Sequence, residues 1–205
     1  MRKKMKIETG RLIIRSLQYE DSDILYRIKT DSQVMEFCPD FLNINATQQD
    51  MQKYIREFQR LEEEGDIDTW RCYGIENKET GKVMGVLTFS KQNMLHEYEL
   101  GWMMLGEYTK KGYASEAAEA FAETFCQTHN IDYLIVVMDV DNPASRRTAE
   151  KCGFKLFEKR TVYDYHFNRY CDDYFYFRRY WSGSNLKNRY YGDIPYYGRS
   201  TSVES

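Results

Sequence analysis

The sequence lacks the short motifs that mark several common classes of site. It contains no GxGxxG stretch and no GxxxxGK[ST] stretch, so it carries neither a dinucleotide fingerprint nor a phosphate loop. The HExxH and GxSxG motifs are also absent, and His96, His129 and His166 lie far apart. These absences argue against a zinc-peptidase helix and against a nucleophile elbow.

An excess of charge of either sign is missing as well. The 205 residues include 29 Lys and Arg against 32 Asp and Glu, which gives a net charge of -3. That balance excludes the broad basic surface of a nucleic-acid-binding protein, and it leaves a cationic substrate or partner open. Because only 3 prolines and 12 glycines occur, while 42% of the residues are hydrophobic, we expect one soluble globular domain, alone or with an appendage.

The cysteines do not form the pairs that a zinc site or a disulfide framework needs. Their number is odd and no CxxC pair occurs among them (Cys38, Cys72, Cys126, Cys152 and Cys171). We therefore expect reduced thiols in a cytoplasmic protein without a bound metal. The basic first residues have no apolar stretch behind them, and no apolar run approaches the ~20 residues of a membrane span, so we expect neither a signal peptide nor a membrane partner.

The periodicity of apolar residues predicts an α/β fold with a mixed central sheet of about seven strands and about four helices. Strand patterns cover residues 11–17, 70–77, 83–90, 98–105, 133–139, 154–163 and 173–181. Helix patterns begin near Asp21, Thr47, Ala114 and Asn142. The strand at 133–139 is almost wholly apolar, which is typical of a strand buried on both faces. The strand–helix–strand order around it predicts a parallel pair in the middle of the sheet.

Several of these helices carry capping residues. Asp21 and Ser22 can cap the first helix, and Thr47 the second. Asn142 can cap the last helix, and Gly153 suits its end. The second helix runs out in the glutamates at 62–64, which form either a solvated helix end or an attraction for a cationic substrate.

One segment combines a predicted strand end, a tight loop and a helix start. Gly112 and Ala114 are small, so a ligand can approach the backbone there. The amides from Lys110 to Ala114 lie at the positive end of the helix, which attracts phosphate, and Lys110 and Lys111 add charge. Taken alone, the segment is either a phosphate-binding loop or a turn with two solvated lysines.

A second segment, one helix later, completes a pattern with the first. The matching positions are Gly112-Tyr113-Ala114, Glu116-Ala117, Asn142, Ser145, Glu150-Lys151 and Gly153-Phe154. Together they resemble the acyl-CoA-binding core of the GCN5-related N-acetyltransferases (the GNAT superfamily), closest to the RimJ/RimL-like branch that acetylates N-termini of ribosomal proteins. Residues 9–15 resemble the opening TxRLxLR of that branch, and residues 99–102 resemble its EIGYW. The resemblance spans about residues 7–180.

The resemblance implies a GNAT domain over residues 1–181 and acetyl-CoA-dependent transfer of an acetyl group to a primary amine within a ternary complex. The amine would belong to a protein N-terminus or to a small molecule. The residues implied in acetyl-CoA binding are Met103, Met104, Lys110, Lys111, Gly112, Tyr113, Ala114, Asn142, Ser145 and Lys151. Among them, the strand backbone at Met103 or Met104 would polarise the thioester carbonyl, and Asn142 would contact the pantetheine arm.

Two departures from the family pattern bear on activity. Thr109 and Lys110 stand where the family usually has Arg or Gln followed by Gly. Ala149 stands where many members have the Tyr that protonates the leaving thiolate, and the ribosomal-protein branch uses a Ser, which maps onto Ser145. These departures keep a second hypothesis open, a non-catalytic acyl-CoA sensor or interaction protein on the same fold.

Acetyl transfer also needs a base, because amines are largely protonated at neutral pH. Glu99, on the strand before the loop, is the first candidate, acting directly or through water, and Glu97 is the second. Alternatively, Glu99 is a solvent-facing strand carboxylate. Ser145 is either the acid that protonates the thiolate or a capping residue of its helix.

The acceptor pocket is predicted among the first two helices, the acidic run and the last strand pair. Residues 154–181 are rich in Tyr and Phe, so they form either an aromatic-walled pocket for a cation or ordinary strand packing. Residues 182–205 lack hydrophobic periodicity and carry two pairs of tyrosines. We expect this tail to pack on its own domain or to bridge two subunits of a homodimer, and the alternative is a disordered tail.

Overall fold

A computed structural model describes residues 4–39, 41–43, 45–93, 96–164 and 169–184, without the side chains of residues 160–164 and 169–173. Within these residues, eight strands form one sheet: β1 (Lys6–Glu8), β2 (Leu12–Ser16), β3 (Arg71–Asn77), β4 (Val83–Ser90), β5 (Glu99–Met104), β6 (Tyr133–Asp139), β7 (Lys155–Asp164) and β8 (Arg169–Tyr180). The α-helices are α1 (Ser22–Thr30), α2 (Ser32–Met35), α3 (Gln48–Glu64), α4 (Tyr113–His129) and α5 (Pro143–Lys151). The predicted α/β fold is confirmed, and the short elements β1 and α2 are additions that the sequence pattern did not predict.

The sheet has the strand order β1-β2-β3-β4-β5-β6-β8-β7. Its neighbouring strands are antiparallel except for β5 and β6, which form the parallel pair expected in the middle. Helix α4 is the crossover between these two strands. Since the chain leaves β5 and enters α4 within a few residues, the carboxyl end of β5 and the start of α4 lie at the same edge of the sheet.

Helices cover both faces of the sheet. The predicted stripe of α4 is confirmed, because Ala117 and Phe121 are fully buried in the cluster that covers one face. On the other face, Leu25 of α1 and Ile55 of α3 pack in a second cluster with Val86 of β4. The middle strands β4, β5 and β6 therefore belong to a core that holds the backbone of the site in place.

The helix ends follow the predicted capping residues with one exception. Thr47 and Asp50 form a capping box at the start of α3, and Gly65 ends that helix at φ 74°. Asp21 occupies the N-cap position of α1, but its carboxylate makes no capping hydrogen bond there. The prediction that Asp21 caps α1 is therefore wrong: this carboxylate instead pairs with the Arg15 guanidinium at 2.7 Å and accepts the Gln18 backbone N–H at 2.7 Å.

The acidic end of α3 is engaged within the domain. Glu62 accepts hydrogen bonds from the Met5 backbone N–H at 2.5 Å and the Ser16 hydroxyl at 2.6 Å, which ties α3 to the first two strands. Glu64 pairs with Arg60, one turn earlier, at 2.6 Å. These contacts favour a helix end over an attraction for a cationic substrate.

Three cysteines in the described part of the chain are buried thiols. Cys72, Cys126 and Cys152 are buried, and burial raises the pKa of Cys126 and of Cys152 to about 12, so both stay protonated at neutral pH. The Cys171 side chain lies outside the described residues. Among those residues, no group of three His, Cys, Asp or Glu side chains is placed to hold a metal ion. Of the helices in the described ranges, none is both long and apolar enough to cross a membrane.

Candidate functional site

The sheet splits between its two parallel strands. Over the full described length of β5 and β6, the pairing between them is a single register match, Glu99 with Ile135. Beyond that point β5 stays paired with β4 as far as Met104, and β6 stays paired with β8 as far as Asp139. A gap therefore opens between β5 and β6 toward the carboxyl ends of both strands, next to the start of α4.

Backbone alternation decides which amides of β5 face this gap. The Ile135 N–H donates to the Tyr98 carbonyl at 2.9 Å, so the polar groups of Tyr98 point toward β6. The Leu105 N–H donates to the Met84 carbonyl at 3.1 Å, so the polar groups of Leu105 point the other way, toward β4. Because successive residues of a strand alternate in this direction, the N–H of Met104 faces the gap and that of Met103 faces β4. Of the two residues that the sequence left open, Met104 is the one able to donate into the gap.

Gly85 of β4 supports this wall of the gap. A Cβ at Gly85 would lie 2.3 Å from the Met103 carbonyl oxygen and 2.6 Å from the Met104 sulfur. Carbon and oxygen atoms that are not bonded to each other do not approach so closely, so β4 and β5 can keep this spacing only with glycine here. The signal for this role in the sequence is a lone glycine inside an apolar strand pattern, which indicates a close approach of another backbone.

The loop between β5 and α4 has the backbone features of an anion-binding turn. Lys110 has φ 62° and Gly112 has φ 78°, both in the left-handed region. Within the described part of the chain, no group accepts a hydrogen bond from the backbone N–H groups of residues 110–115. Left-handed residues between right-handed ones form concave nests of N–H groups that bind anions, and the α4 dipole adds to the attraction. Lys110 is thus a residue with a side chain in a backbone region that favours glycine.

Positive charge from three parts of the chain meets at this loop. The Nζ of Lys151, at the end of α5, lies 3.1 Å from the place of a Cβ on Gly112, and Nη2 of Arg11 lies 3.6 Å from it. Lys110 and Lys111 are exposed beside them. Arg11 is a residue that the sequence reasoning did not assign to the site, because it precedes the loop by about a hundred residues and shares no local motif with it.

Glu116 explains why Arg11 is held there. Its carboxylate accepts hydrogen bonds from the Thr9 hydroxyl at 2.6 Å, the Arg11 backbone N–H at 3.0 Å and the Arg11 Nε at 2.7 Å. Partial burial works to raise the pKa of Glu116, but these bonds outweigh it and hold the pKa below its usual value. The glutamate of the motif thus ties the turn before β2 to the first turn of α4, and it neutralises part of the local positive charge.

Helix α5 begins on the other side of the gap. The Asn142 Oδ1 accepts the Ser145 backbone N–H at 3.0 Å, so Asn142 is the cap, as predicted. Ser145 is half-buried and supplies only its amide to this cap; no hydrogen bond of its hydroxyl is found among the described residues. Ala149, at the position where many family members have Tyr, is fully buried in the core. The Ser145 hydroxyl therefore does not cap α5, which was the alternative to its role as the acid that protonates the thiolate.

The two candidate bases differ in their surroundings. Glu99 is half-buried at the closed end of the gap, where its Oε2 accepts a hydrogen bond from Asn93 Nδ2 at 3.0 Å. The Glu97 carboxylate accepts hydrogen bonds from Tyr133 at 2.6 Å, Tyr176 at 2.5 Å and Arg178 at 3.0 Å. A carboxylate with this set of internal partners is poorly placed to take a proton from a substrate, which favours Glu99.

The aromatic residues of the last strand pair surround a cation of the chain itself. The Arg178 guanidinium lies 4.2 Å from the ring centre of Tyr133, 4.7 Å from that of Phe157 and 5.5 Å from that of Tyr176. Burial raises the pKa of the Tyr176 hydroxyl, and its bond to Glu97 adds to the shift. These rings therefore pack around Arg178, so the predicted aromatic-walled pocket for an external cation is not formed by them.

The first residues of the predicted tail are docked on the domain. Both the backbone N–H and the hydroxyl of Ser182 donate to the Glu123 carboxylate of α4. Ser184 is buried, and its hydroxyl donates to Asp132 at 2.9 Å. The tyrosine pairs of the tail fall in residues 185–205, outside the described ranges.

Known acetyltransferases resemble this chain in sequence and in fold. The model of the acetyltransferase (GNAT) domain family matches residues 11–155. The uncharacterized N-acetyltransferase YnaD of Bacillus subtilis is 29% identical over 174 residues, which cover 84% of this chain and 95% of YnaD. The solved structure of a GNAT-family acetyltransferase from Bacillus anthracis superposes with a TM-score of 0.69 at 24% identity, over 86% of this chain and 98% of that one. RimL, a ribosomal L7/L12 alpha-N-protein acetyltransferase solved with coenzyme A, shares the fold with a TM-score of 0.71 at 18% identity, over 86% and 98% of the two chains. Since the family model covers well over half of the sequence, the chain belongs to the GNAT acetyltransferase family and is an N-acetyltransferase.

Proposed function

We propose that the protein transfers the acetyl group of acetyl-CoA to a primary amine, which attacks the thioester directly in a ternary complex. The observation that carries this proposal is the gap between β5 and β6, which opens beside the unpaired amides at the start of α4. The gap can admit a narrow thioester arm, and the amides can hold the phosphates to which that arm is attached. Coenzyme A in the RimL structure and acetyl-CoA in that of the microcin C7 self-immunity acetyltransferase MccE support this co-substrate.

The phosphate end of acetyl-CoA would bind at the loop before α4. Backbone amides from Lys110 to Ala114 supply the hydrogen bonds, while Lys111 and Lys151 supply charge. Gly112, Tyr113 and Ala114 keep the backbone open to close approach. The Asn142 side chain, whose Oδ1 is used in the cap, retains its Nδ2 group for a carbonyl of the pantetheine arm.

The thioester carbonyl would accept a hydrogen bond from the Met104 amide, which faces the gap. The neutral amine attacks the carbonyl carbon, and the developing oxyanion strengthens that bond. Glu99 and Met104 are five residues apart in one strand, about 17 Å along its axis, so Glu99 takes the proton of the amine through water and not by direct contact. A base is needed because a lysine-like amine has a pKa near ~10.4 and an α-amine one near ~8.

Collapse of the tetrahedral intermediate breaks the C–S bond and releases a thiolate, which needs a proton. Ser145, half-buried at the start of α5 with its hydroxyl outside the helix cap, is the donor that we propose. The hydroxyl regains its proton from solvent or from the protonated Glu99. The products are an acetamide and coenzyme A with a free thiol, so atoms and charge balance.

The free thiol of coenzyme A, one of the two products, provides an assay that identifies the acceptor among primary amines. Release of the free thiol would be followed with acetyl-CoA and a panel of amines: peptides with N-terminal Ala or Ser, spermidine, glucosamine and an aminoglycoside. Mass spectrometry would then locate a gain of one acetyl group. We expect turnover on at least one of these amines and a strong loss of kcat in Glu99→Gln with an unchanged KM for acetyl-CoA.

Binding of acetyl-CoA without turnover on any amine would contradict the proposed function. That outcome would favour the acyl-CoA sensor.

We also propose that the acetyltransferase domain covers residues 1–181 and is followed by a tail. The first contacts of this tail are those of Ser182 with α4 and of Ser184 with Asp132, beside β6. A homodimer through this tail would be tested by the mass in solution with and without residues 185–205.

A further inference from the structure

The orientation of Glu99 is set by a residue outside its own strand. Asn93 precedes β5, and its Nδ2 donates both to the Glu97 carbonyl at 2.8 Å and to the Glu99 Oε2 at 3.0 Å. A side-chain amide nitrogen carries two hydrogens, so one group can make both bonds. The first bond holds the backbone of Glu97, two residues before β5, and the second is directed at the carboxylate of the proposed base.

Glu97, whose backbone Asn93 holds, is bound to the far side of the gap. The Glu97 backbone N–H approaches the Asn93 Oδ1 at 3.4 Å, and the Glu97 carboxylate bonds to Tyr133 on β6 and to Tyr176 and Arg178 on β8. Tyr176 is fully buried and Arg178 is 2% exposed, so their positions are set by the core. Asn93 therefore connects Glu99 to a rigid cluster on the two strands that form the opposite wall of the gap.

We propose that Asn93 is a positioning residue for Glu99, an inference that rests on the proposed function in which Glu99 is the base. A glutamate at the start of a strand has three side-chain torsions, and a relay through water works only when the carboxylate points along the gap. The bond from Asn93 removes this freedom. It also couples the direction of the carboxylate to the cluster of Tyr133, Tyr176 and Arg178 on β6 and β8. Misplacement of a catalytic group by about 1 Å can lower a rate by ~10²-fold, so loss of this bond has a measurable effect.

A merely structural role for Asn93 makes a different prediction. If the Asn93 amide only held the Glu97 backbone, its loss would lower stability and would reduce kcat by the same factor whether or not Glu99 could act as a base. If it positions Glu99, its loss has no further effect once the carboxylate has been replaced. The two roles are separated by a double-mutant cycle.

The test measures kcat and the acetyl-CoA KM for the wild type, Asn93→Ala, Glu99→Gln and the double variant, on the panel amine that the wild type acetylates fastest. We expect Asn93→Ala to lower kcat by about 10- to 100-fold with an unchanged KM for acetyl-CoA. In the Glu99→Gln background we expect no further loss. Asn77→Ala is the matched control. The Asn77 amide oxygen closes the β3–β4 turn by accepting from the Glu79 and Thr80 N–H groups at 3.0 and 2.9 Å, and β4 separates β3 from β5, so this variant should lower stability and leave kcat unchanged.

The outcomes separate this inference from the function on which it rests. A loss of kcat in Asn93→Ala that is equally large in both backgrounds, or no loss at all, would overturn the positioning role while leaving Glu99 as the base. Wild-type kcat in Glu99→Gln would remove the base and the positioning role together. Urea unfolding of each variant shows whether a lowered rate only reflects unfolded protein.

Discussion

Replacement of Gly85 by alanine tests the packing that forms one wall of the gap. The new Cβ would lie 2.3 Å from the Met103 carbonyl oxygen, 2.6 Å from the Met104 sulfur and 3.0 Å from the Met104 Cα. The methionine sulfur can rotate away, but the carbonyl and the Cα belong to the backbone of β5. Relief of these contacts requires the backbone to shift by about 1 Å, since a carbon and an oxygen rest near ~3.3 Å from each other.

The expected size of the effect follows from that shift. Overpacking of a well-packed core usually lowers the free energy of unfolding by about 1–3 kcal/mol, and a clash with backbone atoms belongs at the upper end. For a domain of this length, about 3 kcal/mol corresponds to a fall in Tm of roughly 6–12 °C. We also expect the KM for acetyl-CoA to rise in Gly85→Ala, because the displaced segment contains the Met104 amide.

Urea unfolding of Gly85→Ala and of Gly10→Ala would measure this difference. Gly10 is the matched control, since nothing lies within 4 Å of its Cβ position, and its replacement should change the unfolding free energy by less than ~0.5 kcal/mol. Equal stability of the two variants would refute the reasoning, because it would mean that β4 and β5 can separate at Gly85 without cost.

Three further predictions concern the loop, the acid stability and the end of the domain. Gly112→Ala places a side chain at φ 78°, so it should lower the free energy of unfolding by about 1–2 kcal/mol and weaken acetyl-CoA binding. Lys110→Gly, at φ 62°, should leave the fold at least as stable as the wild type. Thermal unfolding and calorimetry would measure both variants, and equal effects would contradict the assigned backbone roles. Burial works to raise the pKa of Asp66, but hydrogen bonds from backbone and hydroxyl groups lower it to about 2, so its contribution to stability is complete above the unfolded pKa and is lost as the pH falls from about 4 to about 2. Urea unfolding across that window should show a steeper loss for the wild type than for Asp66→Asn, and parallel curves would exclude this carboxylate as a cause. Truncation after Trp181 should give a lower Tm than truncation after Ser184, because the hydrogen bonds to α4 and Asp132 are lost; equal values would place the end of the domain earlier.

The sequence was sufficient for most elements of the fold, because those elements are long and regular. The amphipathic stripe of α4, the apolar strand at 133–139 and the cap at Asn142 are local signals, and the structure contains all three. Strand β1 has only three residues, too few for a period-2 pattern to be distinguished from a loop. Asp21 was misassigned as a capping residue because the competing Arg15 belongs to the preceding strand, and a local pattern does not include that contact.

The residues of the site also fall into two groups, those that a local motif in the sequence shows and those that only the structure shows. The residues of the α4 loop and of α5 were accessible through their motifs, which are contiguous. Arg11 and Gly85 act through contacts between segments that are far apart in the chain. Asn93 acts on a side chain only six residues later, but that hydrogen bond belongs to no local motif that the sequence pattern shows. The choice of Met104 over Met103 needed the direction of the hydrogen bonds between three strands, which depends on the register and not on residue type.

Calorimetric titration of the wild-type protein with acetyl-CoA, at low and at high salt, measures whether the split between β5 and β6 binds this co-substrate. We expect binding of one acetyl-CoA per chain that weakens as salt screens the phosphate contacts at Lys110, Lys111 and Lys151, together with a large loss of affinity in Gly112→Ala. The absence of binding at high micromolar acetyl-CoA, or binding that Gly112→Ala leaves unchanged, would contradict a co-substrate site at the split between β5 and β6.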